Sequence, residues 1–143
     1  MTRTFNDNWA VRGIHTPGDA YAAAATAGTW VNLQGYRRIA FLGFVGELDG
    51  DLTLAAYEAT DNAGTDAQAL DGITDSFVNG TDEDRVGILE VREADLSDGY
   101  TYVTVYVTPT ATDAFSCLAV LGEPYDAPVS NATTDGVAFN TGE

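Results

Sequence analysis

Two strand-like runs with a turn between them limit the folds open to this chain more than any other feature. The runs cover residues 36–47 and 52–60, and the turn that separates them is Asp49-Gly50-Asp51. Successive side chains of a strand point to opposite faces, and β-branched and aromatic residues favour strands. The first run is apolar on both faces, so we expect a central strand that is covered on each side. This stretch predicts a β-scaffold.

Further strand signals follow along the chain, each bounded by turn residues. The clearest is the segment 100–108, YTYVTVYVT, which is dense in β-branched and aromatic residues. Other strands are predicted at 29–33, 67–74, 86–91 and 114–122. The link 108–113 has the length of a hairpin connection. Six or seven strands and no long helix predict an all-β fold, an antiparallel β-sandwich that is jelly-roll-like.

The composition divides the 143 residues into three parts around one domain. Residues 1–28 have weak periodicity and are interpreted as an extended N-terminal arm, which the core should not need for folding. Residues 29–122 hold the β-sandwich core, and residues 123–143 are interpreted as an extended C-terminal tail. Trp9 and Tyr21 are large anchors in the arm. They either dock it on its own domain or insert into a neighbour.

The charge balance excludes several classes of partner. The chain has 22 acidic residues against 6 basic ones, all arginine, and a net charge of −16. Nucleic-acid binding depends on clustered Lys and Arg that neutralise phosphates, so no nucleic-acid partner is expected, nor an anionic membrane surface. No run reaches the length of a membrane span, and the first residues lack an apolar signal segment. We expect a soluble protein that is made in the cytoplasm.

Catalytic residues are scarce, so the chain is not expected to be an enzyme. The one histidine, His15, lies in the arm, where no rigid frame would hold it as a base. The one cysteine, Cys117, lies in an apolar run and should be a small buried hydrophobe. The acids lie mostly in turns, where water keeps them ionised. No cofactor is expected apart from the calcium alternative considered next.

Calcium is the functional alternative for the acidic turns, because hard oxygen ligands that gather in a loop suit this ion. The densest cluster is Asp82-Glu83-Asp84, although its spacing is not that of an EF-hand. If the chain binds a cation, these three residues are the expected ligands.

Adjacent arginines are candidates for contacts with a protein partner. Arg37 and Arg38 face opposite ways on a strand, so at least one should pair with an acid. The strands that carry Glu58 and Glu90 are the candidate sources of that acid.

A tyrosine stripe on the 100–108 strand supplies a second set of candidate partner contacts. Tyr102 and Tyr106 share one face of this strand. Tyrosine has an apolar body and a polar tip, so the stripe suits core packing, a subunit interface or a platform for sugars.

The stretch from Tyr36 to Leu70 resembles the core of small virion proteins of tailed bacteriophages, where a pattern YRxhxFhhxVG…GxhxhxhxEATDxxGT recurs (h is apolar). The residues that carry the resemblance are Tyr36-Arg37-Arg38, Gly46, Gly50, Glu58-Ala59-Thr60-Asp61, Gly64-Thr65 and Gly99-Tyr100. The resemblance covers residues 29–122. It implies a capsid decoration or cement protein on the surface of the virion. Its implied partner is the major capsid protein, and its implied state is a homotrimer.

Two alternatives stay open at this point. One is a subunit of the tail or of the head-to-tail connector. The other is a glycan- or receptor-binding β-sandwich module on the virion, which would use the tyrosine stripe and an acidic calcium loop.

Overall fold

Ten β-strands account for nearly all regular structure in the computed structural model, which describes residues 9–16 and 20–125. The strands are β1 (Ala10–His15), β2 (Ala20–Tyr21), β3 (Thr26–Ala27), β4 (Val31–Asn32), β5 (Tyr36–Val45), β6 (Leu52–Ala59), β7 (Gln68–Phe77), β8 (Val86–Arg92), β9 (Tyr102–Pro109) and β10 (Asp113–Pro124). A single 3-10 turn, Glu93–Asp95, follows β8. In these residues no helix has the length and apolar character that crossing a membrane requires.

The strands form two antiparallel sheets that face each other. The first sheet has the order β1-β10-β5-β8, and β2 also pairs with β10. The second sheet has the order β3-β9-β6-β7, and β4 also pairs with β9. With β1 and β2 counted as one interrupted strand along β10, and β3 and β4 as another along β9, the chain passes from one sheet to the other at every connection except β6–β7. This is the strand order of a jelly roll, so the predicted all-β sandwich is confirmed.

The expected hairpin between β9 and β10 is wrong, because these strands belong to different sheets. The β9–β10 link instead lies beside the β5–β6 link at one end of the sandwich. The Thr110 N–H donates to the carbonyl of Asp51 at 2.7 Å, and the Asp49 N–H donates to Asp113 Oδ1 at 2.6 Å. Gly50 allows this approach, since a Cβ there would lie 2.5 Å from Thr110 Oγ1.

The first strand belongs to the sandwich. β1 pairs with β10 from Ala10 opposite Leu121 to His15 opposite Cys117, and its residues Ala10 and Ile14 lie in the core cluster. Residues 10–15 and 20–27 of the predicted arm are therefore part of the two sheets or of the link between them. β10 also continues to Pro124, past the predicted core boundary. Residues 1–8 and 17–19 of the arm and 126–143 of the tail lie outside the described residues.

His15 joins the two sheets from inside the core. Its Nε2 lies 2.9 Å from the carbonyl oxygen of Val105 on β9, and the rings of Tyr21 and Phe115 pack edge-on against it at 5.1 and 5.4 Å. Burial lowers the pKa of His15, and the contact with Val105 only partly opposes that shift. A bulge between Gly13 and His15 turns this side chain inward. The alternation of the sequence does not reveal it.

Acid should therefore destabilise the fold through His15. The unfolded chain has a histidine pKa of about 6.5 and the folded chain a lower one, so below about pH 6.5 the unfolded state binds the proton first. The free energy of unfolding should fall as the pH drops below that value, with no His15 contribution above it. Urea denaturation at about pH 8 and pH 5.5 should show a larger loss for wild type than for His15→Gln. Equal losses would assign the pH dependence to other groups.

Cys117 fits the prediction of a small buried hydrophobe. It is buried, and desolvation raises the pKa of its thiol to about 12. The thiolate is the reactive form of cysteine, so this side chain is inert at neutral pH.

The loop after β6 closes on its own side chains. Asp61 Oδ1 accepts hydrogen bonds from the N–H groups of Ala63 and Thr65 at 3.0 and 3.1 Å. Asp66 accepts from the N–H of Thr60 at 2.9 Å and from its hydroxyl at 2.8 Å. Backbone hydrogen bonds from Thr65 and Thr60 lower the pKa of Asp61 and of Asp66 respectively. The acids of this motif thus shape a loop.

Candidate interaction surface

The outer side of the first sheet is apolar along its middle. Ile88 and Val86 on β8 are 63% and 52% exposed, and Phe44 on β5 is 38% exposed. Phe44 lies opposite Val86 in the register of the sheet, and Leu42 lies opposite Ile88. The same outer side continues onto β10. We call the following residues the apolar face: Ala40, Leu42, Phe44, Val86, Ile88, Leu118 and Val120.

β5 is central in its sheet, as predicted, but the prediction that both its sides are covered is wrong. Its inward residues Ile39 and Phe41 are buried, whereas Phe44 is exposed. Within the described residues, no second layer packs on the outer side of β5. An antiparallel sheet with one solvated side normally alternates apolar and polar residues. The apolar outer side of β5 departs from that alternation and is a candidate contact surface.

The two aromatic anchors of the predicted arm dock on their own domain. A Cβ on Gly122 would lie 2.1 Å from Trp9 Cζ3, so the Trp9 ring occupies the space over this glycine. Gly122 pairs with Arg38 on β5, and the partly exposed ring thus extends the apolar face toward that end of the sheet. Tyr21 packs inward, with its ring edge-on to that of His15.

The tyrosine stripe of β9 packs against the chain's own aromatic rings. Tyr106 stacks on Tyr57 with 4.0 Å between ring centroids, and Trp30 meets it edge-on at 6.4 Å. Tyr102 is half-buried on the same strand. These rings lie on the outer side of the second sheet, away from the apolar face.

Ion pairs border the apolar face at the end where β5 begins and β8 ends. Arg38 lies 2.8 Å from Glu123 and 3.8 Å from Glu90, and Arg92 Nε lies 3.1 Å from the same Glu90 oxygen. Of the two candidate acids, Glu90 is thus the one that pairs with the arginines. These side chains are substantially exposed, so each pair adds little stability.

Arg37 and Tyr125 lie beside these ion pairs and fix the chain where β10 ends. The Arg37 guanidinium is 5.2 Å from the centroid of the Tyr125 ring, a cation–π contact. The Tyr125 N–H donates to the carbonyl of Gly35 at 2.9 Å. The tyrosine hydroxyl donates to Glu93, and this bond raises the pKa of Tyr125. An open pocket of about 550 Å³ lies among these side chains, Arg38 and Arg92.

The acidic cluster 82–84 lies at the other end of the apolar face, where β8 begins. Asp82 accepts a backbone hydrogen bond within the loop and pairs with Arg85 at 2.9 Å. Glu83 accepts a hydrogen bond from the N–H of Gly80 at 3.3 Å, and Asp84 has a left-handed φ of 56°. In the described part of the chain, no three His, Cys, Asp or Glu side chains are grouped so that they could hold a metal ion. The calcium hypothesis at these residues stays a prediction.

Glu58, a candidate partner of Arg37 or Arg38 in the sequence, instead connects two parts of the fold. It is 2% exposed and accepts hydrogen bonds from Gln68 Nε2 at 2.6 Å and from the hydroxyl and N–H of Ser97 at 2.5 and 2.8 Å. It thereby joins β6 to the start of β7 and to the loop after the 3-10 turn. Its carboxylate is therefore occupied by hydrogen bonds inside the molecule and is not part of a binding surface.

No protein-family model matches the chain, and no curated protein matches it. A chain from Bacillus endospore appendages, a family of disulfide-linked pili, aligns with a TM-score of 0.48 and 16% identity over 87% of this chain and 97% of its own. The CBM22-1–GH10 modules of Clostridium thermocellum xylanase 10B, complexed with xylohexaose, align with a TM-score of 0.41 and 13% identity. That alignment covers 90% of this chain and 29% of the xylanase chain. Likeness at this level carries no argument about what this chain does.

Proposed function

We propose that this protein is a non-enzymatic structural protein of a tailed-phage virion, which binds the outside of the capsid and stabilises the joints between capsid subunits. The apolar face is the observation that carries the proposal. Phe44, Val86 and Ile88 are large apolar side chains that lie next to one another on a solvated sheet. Contiguous exposed apolar residues on a soluble domain mark surfaces that associate with other proteins.

The apolar face is suited to docking because it is rigid before contact. Its residues sit on β5, β8 and β10, whose backbones are paired along most of their length. Little conformational entropy is then lost when the face is covered. Loss of such entropy on binding is a main reason why large interfaces can be weak. Apolar area that is buried contributes about 25 cal/mol per Å² before such costs.

The remaining surface supports the same role through its charge. A net charge of −16 opposes non-specific aggregation, while the apolar face itself bears no acid between Ala40 and Phe44 or between Val86 and Ile88. Such a protein stays soluble at high concentration and still has one adhesive side. The resemblance of residues 36–70 to virion proteins supports the choice of the capsid as the partner.

Phe44→Glu should release the protein from capsids. Phe44 is the aromatic side chain of the apolar face, and loss of an aromatic hot spot costs about 2 kcal/mol or more, which is a roughly 30-fold loss of affinity. The assay is co-sedimentation of the full chain with empty heads of the phage that encodes it. The matched control is Val78→Glu, since Val78 is 47% exposed but lies off the face.

Each outcome of this assay has a distinct meaning. If wild type and Val78→Glu sediment with the heads while Phe44→Glu stays in the supernatant, the result supports capsid binding through the apolar face. Retention of folded Phe44→Glu on the heads would remove the apolar face from the proposal. Failure of wild type to bind the heads would overturn the capsid itself as partner.

A further inference from the structure

We propose that two copies of this chain associate through β8, whose free edge pairs antiparallel with that of the second copy about a twofold axis. The result is one continuous sheet of eight main strands, four from each copy. This contact does not depend on capsid binding. It also differs from the trimer that the sequence resemblance implies.

β8 is the least protected of the sheet edges that the structure describes. Sheet edges are usually blunted by bulges, charges, proline or short strands, since an open edge pairs with other chains. β1 has a bulge at Gly13, β3 and β4 are two residues long each, and the ladder beside β7 is shifted between Ala55 and Tyr57. β7 also contains Gly72 with a φ of 73°.

β8 has neither a bulge nor a proline, and its charged side chains, Glu90 and Arg92, lie toward the end of the strand. It is seven residues long and, among the residues that the structure describes, pairs on one side only, with β5. Its register with β5 runs without a shift from Val86 to Arg92. A strand of this length and regular register offers its outward N–H and C=O groups to a partner strand.

The side chains of β8 add an apolar contribution at the same edge. Val86 and Ile88 are among the most exposed large apolar residues of the described chain. Cross-strand neighbours in an antiparallel pair lie about 5 Å apart at Cβ. Pairing two β8 strands about Ile88 therefore sets each Ile88 against its counterpart and places Val86 diagonal to the Ile88 of the second copy, while Leu89 and Val91 stay in the core of each copy.

The charges at the two ends of β8 select a second copy in antiparallel orientation. The acidic cluster 82–84 precedes the strand and stays net negative after Asp82 pairs with Arg85, whereas at the other end Arg92 and Arg38 balance the charges of Glu90 and Glu123. An antiparallel pair places the arginine end of each copy beside the acidic end of the other. A parallel pair would place acid beside acid and arginine beside arginine. One strand thus supplies both halves of the complementarity, as an isologous twofold contact requires.

The same charges favour one register. With the axis at Ile88, each Ile88 lies opposite its counterpart, Val86 lies opposite Glu90, and Arg92 lies near Asp84 of the second copy. A shift of the axis to Glu90 would set two glutamates opposite each other, which is destabilising. The remaining charges of the two acidic molecules repel each other only weakly at physiological salt, because ions screen charges that lie more than about 8 Å apart.

Sedimentation velocity of the full chain over a range of concentrations at physiological salt tests the contact. Wild type should be a dimer at high concentration, and Ile88→Lys should weaken the dimer about tenfold or more, because an outward lysine blocks an edge. Val78→Lys makes the same change of charge at an exposed position off the strand, so it should dimerise as wild type does. A wild type that stays monomeric, or that forms a trimer, would overturn the proposal.

A charge swap and a cross-link test the geometry. Arg92→Glu and Asp84→Arg should each weaken the dimer, and the double variant should recover it, which a mere folding defect would not do. Ile88→Cys should form an intermolecular disulfide under mild oxidation, because the buried Cys117, whose pKa is raised to about 12, does not compete. Absence of both the recovery and the cross-link would contradict the β8 contact. A monomer that binds heads overturns this inference alone, and a dimer that does not bind overturns only the proposed function.

Discussion

Deletion of residues 1–28 is expected to abolish the cooperative fold. The deletion removes β1, which covers one side of β10, together with β2 and β3. Ala10, Ile14 and His15 leave the core, and the inward side of β10 near Cys117 and Leu121 is exposed. Each large apolar side chain contributes about 1.5–3 kcal/mol on burial, against a total stability of about 5–15 kcal/mol for a domain. Thermal unfolding followed by circular dichroism should show no cooperative transition.

A chain that begins at Trp9 is the matched control, because it keeps every strand that the structure describes. It should unfold cooperatively near the temperature of the full chain. If the fragment 29–143 also unfolded cooperatively near that temperature, the core would not need β1. The boundary that the composition indicates at residue 28 would then be right.

The positions of the long strands were predictable because their side chains alternate clearly. The segment 86–91 falls within one residue of β8, and 52–60 falls within one residue of β6. β1 was missed because Arg12 and Gly13 interrupt the alternation and a bulge follows them. Its partner β10 lies at the far end of the described chain, and alternation within a strand carries no information about so distant a pairing.

The candidate surface was hidden in the sequence for a related reason. The sequence pattern predicts Phe44 and Leu42 to be core residues. In a strand pattern an apolar side chain that points outward cannot be distinguished from one that points inward. Only the layer arrangement separates them, because the second sheet covers one side of β5 and the other side faces outward. The pairing of Arg38 with Glu90 was predictable, since it depends on neighbouring strands. The contact of Arg37 with Tyr125 depends on where β10 ends.

Glu58→Ala should lower the free energy of unfolding by about 3 kcal/mol. The carboxylate is 2% exposed and accepts three hydrogen bonds, from the Gln68 side chain and from the hydroxyl and N–H of Ser97. Removing it breaks all three bonds; a hydrogen bond to a carboxylate contributes about 1.5–3 kcal/mol, and water that reaches the exposed Gln68 and Ser97 offsets part of that loss. Urea denaturation followed by tryptophan fluorescence measures the change.

Glu90→Ala is the control, because it removes a strand glutamate of the other sheet, whose ion pairs with Arg38 and Arg92 are exposed. Exposed pairs contribute about 0–1 kcal/mol, so this variant should stay close to wild type. Glu58→Gln separates charge from shape: its amide keeps one acceptor oxygen but points a donor group at donors, so it should fall between wild type and Glu58→Ala. Equal stability of Glu58→Ala and Glu90→Ala would mean that the loop after the 3-10 turn opens at little cost. The carboxylate would then not be what holds this end of the sandwich closed.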